Sequence, residues 1–284
     1  MTQLQFIIQK FRNDIHLDEF ISTIKLHGHI VKEVGPEYNV NANIPDPDIG
    51  YSFEQLPTIC FGSIKMIDIC KNTISGYPIA WLTKDNYKCT TYYSSVQKYL
   101  FNDKHAFFTA SSIQPLKWDI YKWFGIDTCI FMRPDSGEKS FTAGIFDLQY
   151  FDKDWDTIID KIDPNELILV STPKNIIGEW RFICDKNKNI IAHSTYRYQG
   201  KTTIIPSAPL KATQKCQEVL TDLRIPDEIF TVDICEDNDG NYWLMEINSF
   251  NSAGLYACNK EKVVNWIEEW IISEKEKLNS RLFN

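Results

Sequence analysis

The stretch Phe230 to Asn248, FTVDICEDNDGNYWLMEIN, decides the fold. Two runs rich in β-branched and aromatic residues flank Asp239-Gly240, the strongest short-range hairpin signal in a sequence. A turn with those two residues at its tip pairs Asn238 with Asn241. Counting outward then sets Asp233 opposite Glu246 and Thr231 opposite Asn248, and a shift of two residues would preserve the pattern. The period of two sends Val232, Ile234, Trp243, Met245 and Ile247 into a core and leaves Asp233, Glu246 and Asn248 together on the other face.

Two carboxylates directly opposite on neighbouring strands repel each other, so a cation is expected between them. Asp, Glu and Asn are hard oxygen donors that suit Mg²⁺, with Mn²⁺ as the alternative; Mg²⁺ keeps several waters and is commonly completed by substrate phosphates. The competing reading is a solvated strand face on an acidic protein. An Asp, then E-x-N at the end of the next strand, then a small-residue loop (Ser249 to Tyr256, SFNSAGLY), resembles the metal-binding end of the ATP-grasp superfamily. The AGLY ending is similar to a bacterial and viral clade of that superfamily in which an arginine replaces the usual first-strand lysine.

The resemblance implies an α+β (α/β) chain: two α+β subdomains that grip the nucleotide, after a small α/β N-terminal domain. The boundaries are set at 1–100 for the first domain and 101–284 for the grip, divided into 101–170 and 171–284. In this family Asp233, Glu246 and Asn248 would hold Mg²⁺ on the phosphates of ATP.

Composition excludes several classes. The 284 residues carry a formal net charge of −8, which argues against a protein that coats nucleic acid, since that requires a basic face. No apolar run approaches a membrane span, the first residues lack a signal-peptide core, and no polybasic or lipidation signal appears, so a cytoplasmic protein is expected. Eight cysteines are scattered without a C-x-x-C pair and read as reduced core residues.

Along the chain, Leu4 to Gln9 reads as a buried strand and Asp14 to Leu26 as a helix with an apolar face of Ile15, Phe20, Ile21 and Ile24. The Pro, Gly, Asn and Asp content of Val34 to Tyr51 marks a loop or boundary. Thr58 to Phe61 is a strand, turned by Gly62-Ser63 into a helix from Ile64 to Ile74; Ser63 reads as its N-cap. Helices are expected around Asp103 to Ser111 and Leu116 to Phe124. A hairpin follows, with Cys129 to Arg133 as first strand, PDSGE as tip, and Lys139 leading a second strand from Phe141 to Phe146. The tip carries a guanidinium and an ammonium, and the resemblance gives Arg133 and Lys139 to the phosphates.

Glu166 to Val170 reads as a strand, and the resemblance makes Val170, Ser171 and Thr172 the hinge that holds adenine through backbone groups. Glu179 and Arg181 share one face of the next strand. As an isolated pair they read as neutralising neighbours; in the resembled clade an E-x-R at this place faces the active site, which would put Glu179 at the nucleotide and Arg181 at the acyl group. Lys139 is also expected to be catalytic, and His193, which alone on a strand reads as structural, is expected with Tyr196 and Tyr256 to wall the substrate pocket. The helices Ala208 to Leu223 and Lys262 to Lys277 cover the sheet. Gly200-Lys201-Thr202 lacks the glycine spacing of a P-loop, and no protease or esterase pattern is present.

The expected function is an ATP-dependent carboxylate-amine ligase acting through an acylphosphate. Its partners would be ATP, a small-molecule or peptide carboxylate, and an amine. Alternatives are a phosphotransferase on the same nucleotide site or a non-catalytic module binding nucleotide or divalent ion. The oligomeric state is left open.

Overall fold

The computed structural model describes residues 3–10, 14–35, 56–73, 77–138 and 140–282. Lys139 and most of the expected loop from Val34 to Tyr51 lie outside the described residues. Among the described residues, three sheets organise the chain. The first contains β1 (Gln5–Gln9), β2 (Ile30–Val34), β3 (Pro57–Phe61) and β4 (Tyr77–Ile79), all parallel in the order β2-β1-β3-β4. Every residue of β1 is buried, as expected where helices cover both faces of a parallel sheet. The helix α1 (Ile15–Leu26) starts where the Asp14 side chain accepts the Leu17 N–H at 3.1 Å. Ser63 likewise accepts the Met66 N–H at 3.3 Å and opens α2 (Ile64–Thr73).

After α3 (Cys89–Val96), the second sheet takes β5 (His105–Thr109), β6 (Cys129–Pro134), β7 (Gly144–Asp147) and β8 (Leu167–Ser171) in the antiparallel order β5-β8-β6-β7. The short α4 (Ala110–Ile113), α5 (Lys117–Phe124) and α6 (Phe151–Ile159) lie between its strands in sequence. Ile120, Phe124, Phe151 and Trp155 pack into one core with Ile130, Met132, Ile168 and Val170. The helix expected over Asp103 to Ser111 is instead the strand β5, because HAFFT completes the backbone ladder of β8 and only Ala110–Ile113 turns helical. The return strand of the Arg133 hairpin starts at Gly144, three residues later than expected at Phe141.

The third sheet, order β11-β10-β9-β12-β13, is antiparallel and holds β9 (Gly178–Asp185), β10 (Ile190–Tyr198), β11 (Lys201–Ile205), β12 (Ile229–Glu236) and β13 (Tyr242–Ser249). The helix α7 (Leu210–Asp222) buries Ala212, Cys216, Val219 and Leu220 against Phe182, Phe230, Val232 and Ile234, in a core that also takes Tyr92, Val96 and Leu100. The last helix, α8 (Lys260–Leu282), joins Val263 and Ile267 to Ile183 and Ile229 on one side and to Phe6, Phe20 and Ile24 on the other. One apolar cluster therefore ties the first sheet to the third. The eight cysteines are unpaired, seven of them buried and Cys129 half-buried.

The decisive hairpin departs from simple alternation twice. At the tip, the Asp237 N–H donates to the Asn241 carbonyl at 3.0 Å and Gly240 takes φ +78°, so Asp237, not Asn238, faces Asn241. Asp237 fixes that tip, its carboxylate accepting from the N–H groups of Asp239 and Asn241 at 2.9 Å each and from Trp243 Nε1 at 2.7 Å. This shifts the register by one residue through Ile234↔Leu244. A bulge at Met245 then shifts it back, so that Asp233 faces Glu246 and Thr231 faces Asn248 as counted. Between the two offsets the faces are exchanged. Leu244 enters the core with Val232, Ile234 and Ile247, while Trp243 and Met245, expected there, do not.

Candidate active site

A cleft of about 590 Å³ opens between the second and third sheets. Phe131, Ile145, Ile176 and Met245 give it apolar walls, and Arg133, Thr172, Lys174, Glu179, Arg197 and Glu246 bring polar groups. The bulge explains how the adjacent Met245 and Glu246 both reach it, since a regular strand would send one of them away.

Arg133, the next-to-last residue of β6, is buried, yet it lines the cleft; its terminal nitrogen Nη2 lies 3.1 Å from Glu246 Oε2. Its Nε is enclosed and has no hydrogen-bond partner among the described residues. Such a donor leaves about 1–3 kcal/mol of unmet hydrogen bonding for an anion to supply. The loop after Arg133 is pinned. Asp135 accepts Thr90 N–H and Oγ1 at 2.8 Å each, capping α3, and Glu138 accepts Lys84 Nζ at 2.5 Å while the same ammonium reaches Asp68 at 2.7 Å.

Across the cleft, Glu246 also accepts Asn248 Nδ2 at 2.9 Å through Oε1. These two residues, spaced by two on β13, present adjacent oxygen donors, and that donor chemistry fits a hard divalent cation. Asp233 is placed differently. It is completely buried and held by Arg181 in a fork, Nε to Oδ1 at 2.8 Å and Nη2 to Oδ2 at 2.6 Å. The register sets these partners directly opposite on β12 and β9. The cation expected between the two acids is thus supplied, in this structure, by two arginines. Asp233 fits a metal ion only if one of its oxygens serves Arg181 and the ion together.

Arg181 is clamped on every side. Its Nη1 donates to the Gly254 carbonyl at 2.9 Å, and its guanidinium lies 5.0 Å from the Tyr256 ring and 5.6 Å from the Tyr196 ring. Those two rings stack at 4.7 Å with an interplanar angle of 11°. Burial opposes the Arg181 charge, but Asp233, helped by Tyr256 and Tyr196, favours it, and the net shift is upward. Tyr196 is the extra residue where the register shifts between Thr195 and Arg197, a bulge that turns its ring onto Arg181. Tyr256 takes φ +46°, strained for a non-glycine residue, and Lys260 Nζ donates to its carbonyl.

Glu179 borders the cleft with Arg197 Nη1 at 3.4 Å from its Oε1; burial pushes its carboxyl pKa up, against the pull of Tyr196 and Arg197. At the hinge, Val170 is core and Ser171 Oγ donates to Asn102 Oδ1 at 3.1 Å; both are ladder residues of β8, paired with β5 on one side and β6 on the other. Thr172 lines the cleft, its Oγ1 buried and without a hydrogen-bond partner among the described residues. His193 packs on Phe182 at 5.9 Å and is not brought into the Arg181, Tyr196 and Tyr256 cluster. Lys174, Arg197 and Met245 are cleft residues that the sequence reading did not select. Lys174, which donates to the Phe101 carbonyl at 2.5 Å and pairs with Asp103, carries no local motif.

Residues 108–266 match the ATP-grasp domain of the R-two-K clade, family 2. The chain belongs to this family. Among solved structures, the ATP-grasp chain resembles D-cycloserine synthetase DcsG, with 9% identity, TM-score 0.59, and 93% of this chain and 99% of that chain covered. It also resembles N5-carboxyaminoimidazole synthetase from Staphylococcus aureus complexed with ADP, at 10% identity and TM-score 0.55 over 89% of this chain and 72% of that one. A third likeness is to a RimK domain ATP-grasp protein from Sphaerobacter thermophilus, at 10% identity and TM-score 0.54 over 88% and 92%. At these identities the likeness establishes the shared ATP-grasp fold. No curated protein matches the sequence significantly. Among the described residues, no helix is long and apolar enough to cross a membrane.

Proposed function

We propose that this ATP-grasp chain is an ATP-dependent ligase that joins a carboxylate to an amine through an acylphosphate. The observation that carries the reading is the buried Arg133, with an unmet Nε donor, set against Glu246 across the 590 Å³ cleft. The solved ATP-grasp neighbours include two synthetases, one of them complexed with ADP.

In this reading the apolar walls take the adenine, with the backbone of Val170 to Thr172 at its edge. Arg133 and Lys139 receive the phosphates; a guanidinium there can fork onto two phosphate oxygens. Glu246 and Asn248, with Asp233, would hold Mg²⁺, and the ion would supply charge neutralisation at the phosphates. The substrate carboxylate attacks that phosphorus and ADP leaves; the amine then adds to the acyl carbon and expels inorganic phosphate, losing a proton. Three of the five Arg181 N–H groups are already committed, which leaves two to orient the acyl oxygen. Tyr196 and Tyr256 wall the acyl side.

Incubation with Mg-ATP and a panel of carboxylates in hydroxylamine tests the mechanism. Hydroxamate and ADP formed together with one acid are expected, because hydroxylamine traps an acylphosphate. A stable phosphorylated product without hydroxamate would assign a phosphotransferase, and nucleotide binding without turnover across the panel would favour the binding module.

A further inference from the structure

We propose that His27, His29 and Glu268 form a site for one divalent transition-metal ion, with zinc as the best match, where the first sheet meets α8. Nothing in the nucleotide cleft depends on it. His27 Nδ1 and His29 Nε2 converge on one atom, Glu268 Oε1, at 3.0 and 2.8 Å. The three ligand atoms all lie within 4.8 Å of one another. Tetrahedral bonds of ~2.0–2.1 Å set ligand atoms roughly 3.3 Å apart, so the two histidine–Glu268 distances need only expand slightly, and the separation of the two ring nitrogens, at most 4.8 Å, would settle to match.

The local sequence builds this convergence. Gly28, between the two histidines, takes φ +80°, a left-handed turn that ends α1 and brings both imidazoles to one side. The negative end of the α1 dipole favours a cation there. The ring of His29 stacks on Phe6 at 5.9 Å, and its side chain is 1% exposed, so the ligand is held before any ion arrives. Glu261, two turns before Glu268 on α8, approaches His27 Nε2 at 3.0 Å. A carboxylate behind a metal-bound histidine is the usual orienting partner, and here it fixes the tautomer that leaves Nδ1 free to bind.

Two imidazoles and a carboxylate match zinc and its first-row neighbours and leave a fourth position for water. Without metal the cluster closes on its own hydrogen bonds, His27 between Glu261 and Glu268, and His29 between Glu268 and the Leu4 N–H, which lies 3.4 Å from Nδ1. An ion on His29 Nε2 places the ring proton on Nδ1 and gives up the Leu4 contact, the longest of the four. The ion would join residues of the turn after α1 to the final helix, so its consequence is stability of that joint.

The experiment uses the full chain without a histidine tag, stripped with chelator, and titrates Zn²⁺ or Co²⁺ alone. A Glu246→Gln background removes competition from the cleft acids. One bound zinc per chain is expected, with a rise in melting temperature, and Co²⁺ should give visible bands of a four- or five-coordinate ion that zinc bleaches. Glu261→Gln should weaken binding about 10–100-fold, and His27→Gln and Glu268→Gln by more, while each variant, made in the wild-type background, keeps its ATP-induced thermal shift. Absence of bound zinc, a silent cobalt spectrum, or undiminished affinity in Glu268→Gln would overturn the proposal. The cobalt spectrum is read on protein with all three ligands intact, so it decides the matter even where a ligand variant fails to fold.

Discussion

The pairing of Asp233 with Arg181 makes Asp233→Asn the most informative single change. Both side chains are buried, 1% and 7% exposed, and they share two hydrogen bonds of 2.8 and 2.6 Å. The substitution keeps shape but leaves a buried guanidinium facing an amide, one carbonyl and two aromatic rings. Breaking a buried pair from one side destabilises by about 3–5 kcal/mol. For a chain of this size a kilocalorie moves the melting temperature by roughly 2–4 °C, so the fall should be about 6–20 °C without nucleotide. Thermal and urea unfolding of Asp233→Asn, Asp233→Leu, Arg181→Met and Asp233→Leu/Arg181→Met complete the cycle. The double variant should recover most of the loss, because an apolar pair of similar volume replaces a closed ion pair without an uncompensated charge. A change below about 1 kcal/mol in Asp233→Asn would refute the reasoning, and would mean that Asp233 is not committed to Arg181 in solution.

Glu246→Gln should lower stability without nucleotide by about 1–3 kcal/mol, since it leaves the enclosed Arg133 without its carboxylate, and should remove most of the Mg-ATP-induced melting shift; differential scanning fluorimetry with and without Mg-ATP reads both. Facing acids alone would predict an unchanged or slightly more stable apo protein, but each acid has a guanidinium partner. Arg133→Lys keeps the charge and loses the fork, which should weaken nucleotide binding by ~1.5–3 kcal/mol, roughly 10–150-fold in Kd by calorimetry. For Glu179 the sign follows from burial. Its folded pKa lies above the ordinary 4.5, so the native state binds the proton more tightly and its stability falls as pH rises from 4.5 through the raised value. Glu179→Gln should therefore be more stable than wild type at neutral pH, with the advantage fading as pH falls through the raised value and gone below 4.5; a pH-independent difference would contradict this.

The hairpin shows what local sequence can and cannot say. The opposition of Asp233 and Glu246 was legible because two one-residue offsets cancel, the Gly240 tip and the Met245 bulge. Alternation misassigned Trp243 and Met245 because the turn is set by the Asp237 side chain, not by the Asp-Gly pair alone. Over HAFFT no helical or strand period separates the two states in five residues, and β5 forms because β8 offers a free ladder edge. Residues such as Lys174 and Arg197 enter the site through tertiary placement, which leaves no mark on their neighbours in sequence. Arg181 was singled out for substrate, and its commitment to Asp233 follows only from the β9–β12 register.

The two arginines separate the facing acids by the way each is held. Arg181 and Asp233 lie on adjacent strands of one sheet, so their pair is fixed whenever that sheet is folded. Arg133 and Glu246 come from different sheets and meet across the cleft, with Glu246 also bound to Asn248. Any motion that widens the cleft breaks the second pair and leaves the first intact. A bound phosphate would compete for Arg133, while a divalent cation would compete for Glu246, so nucleotide and metal together can exchange this ion pair for two new ones without leaving either charge uncompensated. Phosphate alone would take Arg133 from Glu246, and metal alone would take Glu246 from Arg133. Mutual replacement of partners thus gives a physical reason for nucleotide and metal to enter the proposed site as a unit, whereas the Arg181 and Asp233 pair remains to hold Tyr196 and Tyr256 in place around it.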